Sequence, residues 1–179
     1  MSLTVGQNSY VSLEEANTYL AARLGAEAWA AAAEAQREAA LITAARAIDR
    51  LPIIGRPVMP NQPMQFPRIW PPSMFIRRRR NDPFYDPEFP PDPLLYSATL
   101  QTGIPQDVKR AQCEEALALL NLSDGDRTRQ RLQAQGVTMF RLGRLEESYG
   151  KTRRGPNALN SLEARDLLRP FVATSVLIV

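Results

Sequence analysis

The sequence predicts a mainly α fold: a small bundle of about four helices with a β-hairpin, a long proline-rich inserted arm and an extended C-terminal tail. Three observations predict it. Several segments are dense in strong helix formers with apolar residues three and four apart. Twelve of the fifteen prolines fall within residues 52–93. Residues 172–179, VATSVLIV, are rich in apolar and β-branched side chains. A chain of 179 residues suits one domain with its own core, so 1–179 reads as a single domain, with the arm over 52–104 and the tail over 171–179.

The elements follow in order. A short extended piece covers Ser9 to Val11. Ser12 then reads as an N-cap with Glu15 three residues on, the pattern of a capping box. Leu13, Ala16, Tyr19 or Leu20 and Leu24 continue at helical spacing, and Gly25 offers a stop, so a helix is predicted over 12–24. The link that follows contains Trp29, read as a core anchor. A second helix is predicted over 33–51, with Leu41, Ala45, Ile48 and Leu51 on one face and Pro52 ending it. From Pro52 to Pro93 proline removes backbone donors and fixes φ, which predicts neither helix nor central strand.

Regular structure returns at GIPQDVKRAQCEEALALLNL. Pro105 suits a first helical turn and Asp107 complements that terminus, predicting a helix over 105–121. Cys113 shares its apolar face and reads as a small core residue. SDGDRTRQRLQAQG reads as polar and turn-rich. GVTMFRLGRLEESYG reads as a hairpin of about 137–142 and 144–149. ALNSLEARDLLRPF gives a short helix ending near Pro170.

Composition narrows the chemistry. There is no histidine and one cysteine, which excludes an intrachain disulfide, Cys/His zinc sites and histidine-dependent nucleophilic sites. The acids fall mostly on predicted helix surfaces or in the proline-rich loop, so the chain is expected not to be an enzyme and to carry no cofactor or metal. No apolar run approaches a bilayer span, and MSLTVGQNSY lacks the features of a signal peptide. An intracellularly assembled protein without a membrane partner is expected.

The net charge of +3 is unevenly spread. Residues 1–76 hold six arginines and six acids. Arg127 to Arg154 holds seven arginines and one lysine against Glu146 and Glu147, a surplus of six positive charges. Arginine suits bidentate contact with phosphate or carboxylate, so Arg127, Arg129, Arg131, Arg153 and Arg154 are candidates for a DNA-facing surface; a solvated face is the competing reading.

The stretch FIRRRRNDPFYDPEFPPDP is the most unusual in the chain. Arg77, Arg78, Arg79 and Arg80 are followed by Asp82, Asp86, Glu88 and Asp92, which cancel them. Trp70, Phe75, Phe84, Tyr85 and Phe89 are too many aromatics for a solvated linker. They favour a segment that packs on its own domain or on a neighbouring subunit.

The order of NSYVSLEEANTYLAARLGAEAW, AALITAARAIDRL, QFPR, GIPQDVKRAQCEEALALL, VTMFRLGRLEESYG and LLRPF resembles the head–tail connector (adaptor) proteins of tailed bacteriophages. Members of that family are often labelled DnaT-like single-stranded-DNA-binding proteins. The resemblance covers most of the chain outside residues 70–102. It implies a mainly helical structural virion protein at the head–tail interface, assembled in the host cytoplasm into a ring, typically of twelve copies. Such a ring sits below the portal protein, extends the DNA channel, passes double-stranded DNA without reading sequence, and presents a platform to the next connector or tail-terminator protein.

The chain departs from the pattern between QFPR and GIPQ, where roughly thirty extra residues intervene, so Arg77 to Arg80 gain no support from the resemblance. Locally they read as an arm contacting a neighbour or the portal, with the arginines of one copy meeting the acids of the next, or as lining the channel; a flexible surface loop is the competing reading. Phe171, Val176, Leu177, Ile178 and Val179 read as a docking tail that adds to an exposed edge of a neighbour, or else covers the chain's own core. The alternative function is single-stranded-DNA binding in replication, which needs a basic groove with aromatics on which bases stack.

Overall fold

The computed structural model describes residues 2–70, 99–135, 137, 139–142, 145–148 and 159–173. Along these the chain forms α1 (Leu13–Ala21), α2 (Glu27–Ala31), α3 (Glu34–Asp49), β1 (Arg56–Pro57), β2 (Arg68–Trp70), β3 (Thr99–Leu100), α4 (Gln106–Asn121), α5 (Asp124–Ala134), β4 (Met139–Leu142), β5 (Leu145–Ser148) and α6 (Leu162–Leu168). The fold is mainly α, as the sequence predicts. No helix among the described residues is long and apolar enough to cross a membrane.

The N-terminal cap forms as its residues dictate. Glu15 N–H donates to Ser12 Oγ at 3.1 Å, and Ser12 N–H donates to Glu15 Oε2 at 3.0 Å. These two bonds occupy donors that a helix start leaves open. At the far end α1 stops at Ala21, ahead of the expected Gly25; that glycine has φ +78° and turns the following link instead. The link forms the short helix α2, and Trp29 on it is buried, with its indole N–H on Asn17 Oδ1 at 3.0 Å.

Helix α4 is the centre of the bundle. It packs against α3 and α6 and also touches α1 and α2. Two apolar clusters lie along it. One joins Tyr10, Ile48, Met64, Phe66, Val108 and Leu168; the other joins Leu20, Trp29, Leu41, Cys113 and Leu117. Every residue from Ala111 to Leu117 is buried. A helix enclosed on all sides must satisfy its own polar groups within the protein.

Two regions differ from what the sequence predicts. The polar stretch after Asn121 is a helix, α5. Ser123 caps it, accepting from Asp126 N–H at 3.1 Å, and the arginines and glutamines that follow are good helix formers. Its apolar stripe is too thin to announce itself by periodicity.

The proline-rich region also contains a central strand. β2 pairs antiparallel with β1 on one side and with β3 on the other, Ile69 standing opposite both Arg56 and Leu100. Proline is tolerated here because Arg68, Ile69 and Trp70 contain none, while Pro57 lies on the edge strand β1. Two acids of α4, Glu114 and Glu115, are buried. The hairpin β4–β5 forms with Phe140 opposite Glu147 and Leu142 opposite Leu145.

Candidate functional site

Two places stand out among the described residues: the packed region around Arg68 and β2, termed the root, and a groove along α5.

The root begins where α3 ends. Arg68, 4% exposed, turns its guanidinium into the loop after α3. It donates to the carbonyls of Ile53 at 3.0 Å, Ile54 at 2.8 Å, Gly55 at 2.5 Å and Gln65 at 3.2 Å, and to the Gln65 side chain. All five guanidinium donors are thereby used. Burial lowers the Arg68 pKa, with the charge of Asp49 acting in the opposite direction. The Asp49 carboxylate accepts from the Tyr10 hydroxyl and from Gln65 N–H. Burial raises the Asp49 pKa above the usual carboxylate value, and burial with the Asp49 charge drives the Tyr10 phenol far above its own.

An aromatic chain closes the root. Tyr10 meets Phe66 edge-on at 5.7 Å, Phe66 meets Phe171 edge-on at 5.8 Å, and Phe171 packs on Trp70 at 5.7 Å. Ile54 N–H donates to Phe171 O and Ala173 N–H to Pro52 O, each at 2.8 Å, so Val172 forms an isolated antiparallel bridge with Ile53. Trp70 and Thr99, which flank residues 71–98, are register partners in the sheet. Whatever lies between them leaves and returns at one fixed point.

Three buried polar side chains flanking Cys113 tie α4 to its neighbours. Gln112 accepts from Tyr10 N–H at 2.9 Å and donates to Ser9 Oγ at 2.7 Å and Leu41 O at 2.9 Å. Glu114 accepts from the Tyr19 hydroxyl at 3.0 Å and pairs with Arg23 at 2.5 Å. Burial, then the bond and charge of Glu114, push the Tyr19 phenol up to about 12. Glu115 accepts from Asn160 N–H at 2.8 Å, Asn160 Nδ2 at 2.8 Å and Ser161 N–H at 2.9 Å, holding the start of α6. Cys113 sits between them, its thiol pushed up to about 12 by burial and then by the Glu114 charge.

The groove runs between α2 and α3 on one side and the end of α4 and α5 on the other, with a volume of about 890 Å³. Its lining is mostly alanine and leucine, with Gln36 and Thr43 from α3 and Arg127, Gln130 and Arg131 from α5.

The sequence-predicted residues are distributed as follows. Trp70 and Phe171, assigned separately to arm and tail, are half-buried against each other. Arg127, Arg129 and Arg131 are exposed on α5; the first and last line the groove, and Arg129 pairs with Asp126 at 3.5 Å. Phe75, Phe84, Tyr85, Phe89, Arg77, Arg78, Arg79, Arg80, Arg153, Arg154, Val176, Leu177, Ile178 and Val179 lie outside the described residues. Arg68 is not among the residues the sequence points to as a site, although it lies in QFPR. An arginine within a proline-bounded apolar stretch was the available signal.

Residues 2–71 match the family model described as "Putative DnaT-like ssDNA binding protein". The match covers under half of the chain and includes α1 to α3 and the root through Trp70. No curated protein and no solved structure matches the chain.

Proposed function

We propose that the chain is a head–tail connector (adaptor) of a tailed bacteriophage: a structural virion protein that forms a ring below the portal, extends the DNA channel and links capsid to tail. Its partners are copies of itself, the portal protein and the next connector or tail-terminator protein. Double-stranded DNA passes through without sequence recognition. The reading rests on the order of segments that resembles that family. Among the described residues, one observation favours it over single-stranded-DNA binding.

That observation is where the aromatics of the family-matched segment go. Tyr10, Trp29 and Phe66 are buried; Tyr19 is bonded to Glu114 and Trp70 rests on Phe171. Arg37 already covers the Trp29 ring at 5.7 Å. Bases stack on exposed rings lining a basic groove, and this segment offers neither an exposed ring nor a surplus of positive charge. The root, by contrast, suits a protein that projects an arm, because both ends of the excursion are anchored in one small sheet.

Single-stranded-DNA binding is the second reading, favoured by the description of the matching family. Fluorescence anisotropy of a labelled oligothymidylate separates the two. The adaptor reading predicts weak binding that collapses between about 50 and 200 mM salt, as for a few phosphate contacts. Tight binding that persists through that range establishes the replication reading in its place.

A further inference from the structure

The groove along α5 borders the second apolar cluster, to which Ala40, Leu119 and Leu120 belong, and leaves part of their surface open. Ala28, Ala32 and Ala40 line it with short side chains, and Leu119 and Leu120 add an apolar wall. Such a surface favours large apolar side chains, which bury area that water otherwise covers. Arg127 and Arg131 are one turn apart on α5 and both line the groove. Among the described residues neither enters an ion pair, whereas Arg129 between them is taken by Asp126. The fitting occupant is therefore aromatic and acidic together, and extended enough to follow an open channel.

The chain contains one stretch of that composition. Residues 82–93, DPFYDPEFPPDP, hold three aromatics, four acids and five prolines. The prolines restrict the free chain and lower the entropy lost on docking. This stretch lies outside the described residues, between Trp70 and Thr99. Its anchor points and the groove sit toward opposite ends of α3. The root packs with Ile48 and the loop that follows, while the groove uses Gln36, Ala39, Ala40 and Thr43. An arm leaving one end and a groove at the other form a head-to-tail contact, which closes into a ring when repeated by rotation.

We propose that the groove binds residues 82–93 of a second copy of this chain. Phe84, Tyr85 and Phe89 enter the alanine and leucine surface, and Asp86 and Glu88 meet Arg127 and Arg131. The inference rests on the ring reading above and adds the contact that builds the ring.

A photo-crosslinking phenylalanine analogue at position 84 of the full chain tests it. Irradiation under associating conditions is expected to give an intermolecular product mapped to residues 28–43 or 119–131. An intramolecular product overturns the second-copy assignment, and an intermolecular product elsewhere overturns the groove. Charge exchange supplies an independent readout. Arg127→Glu with Arg131→Glu, and separately Asp86→Arg with Glu88→Arg, should each weaken self-association about ten-fold or more. Mixing the two variants should restore it, since each then complements the other. Failure of the mixture to recover overturns the pairing. Rings that persist with crosslinks elsewhere defeat this contact but leave the ring reading intact, whereas a chain that never self-associates defeats both.

Discussion

Arg68 and the pair Arg127 and Arg131 are the same side chain put to opposite uses. Arg68 is buried, and each of its donors is consumed by oxygens of its own chain. Arg127 and Arg131 are exposed beside an apolar groove, and among the described residues no carboxylate meets them. A charge that is fully bonded internally holds the fold together and has nothing left for a partner. A charge held out on a helix contributes little to folding and keeps its donors for whatever binds. Arg68 belongs to the part of the molecule that holds β1 and β2 on the bundle; Arg127 and Arg131 belong to a surface left open among the described residues.

The largest expected effect comes from breaking the first member. Arg68→Met leaves the carbonyls of Ile53, Ile54 and Gly55 without their donor, which should cost about 3–5 kcal/mol. Urea unfolding measures it, and a loss below about 1 kcal/mol would show that solvent replaces the guanidinium easily. Next is Glu115→Ala, which strands the N–H groups of Asn160 and Ser161 at the start of α6. About 2–4 kcal/mol should be lost, read as a fall in melting temperature. The size of that fall sharpens the claim that buried polar groups on α4 tie the bundle.

A smaller effect is expected with pH. The Asp49 pKa is raised in the folded protein, chiefly by burial, so the folded state binds this proton more tightly than the unfolded chain. Its contribution is most favourable below the ordinary carboxylate value and is lost as pH rises through the folded value. Asp49→Asn removes this term. The stability of the parent relative to the variant should therefore decline from acid toward neutral pH; a flat difference would contradict the burial of Asp49. The smallest effect belongs to the second member of the comparison. Arg127→Ala with Arg131→Ala should change stability by less than about 0.5 kcal/mol, and a loss comparable to that of Arg68→Met would mean that these arginines also belong to the fold.

What was legible in the sequence follows from local chemistry. Ser12 with Glu15, and Pro105 with Asp107, announced α1 and α4 because caps are local. Trp29 and Cys113 announced the core because both are commonly enclosed. Helix α5 was not legible, because a helix lying on the surface needs no apolar stripe to mark its period. β2 was hidden by the prolines around it, since a three-residue strand between two partners depends on contacts far away in sequence. Glu114 and Glu115 looked like solvated acids until α1 and α6 brought Arg23, Asn160 and Ser161 to them. The candidate groove was not legible at all: alanines on α2 and α3 read as helix formers, and only packing against α4 and α5 makes them a surface. The root was half legible, because QFPR was visible as a motif while the target of its arginine was not.

The account's central claim is that this chain assembles with copies of itself around a channel. Electron microscopy of the purified protein, imaged alone and after mixing with its portal protein, tests that claim most directly. The account predicts closed rings of uniform diameter with a central opening, formed alone or on the portal. A protein that stays monomeric under both conditions, while coating single-stranded DNA, would contradict it.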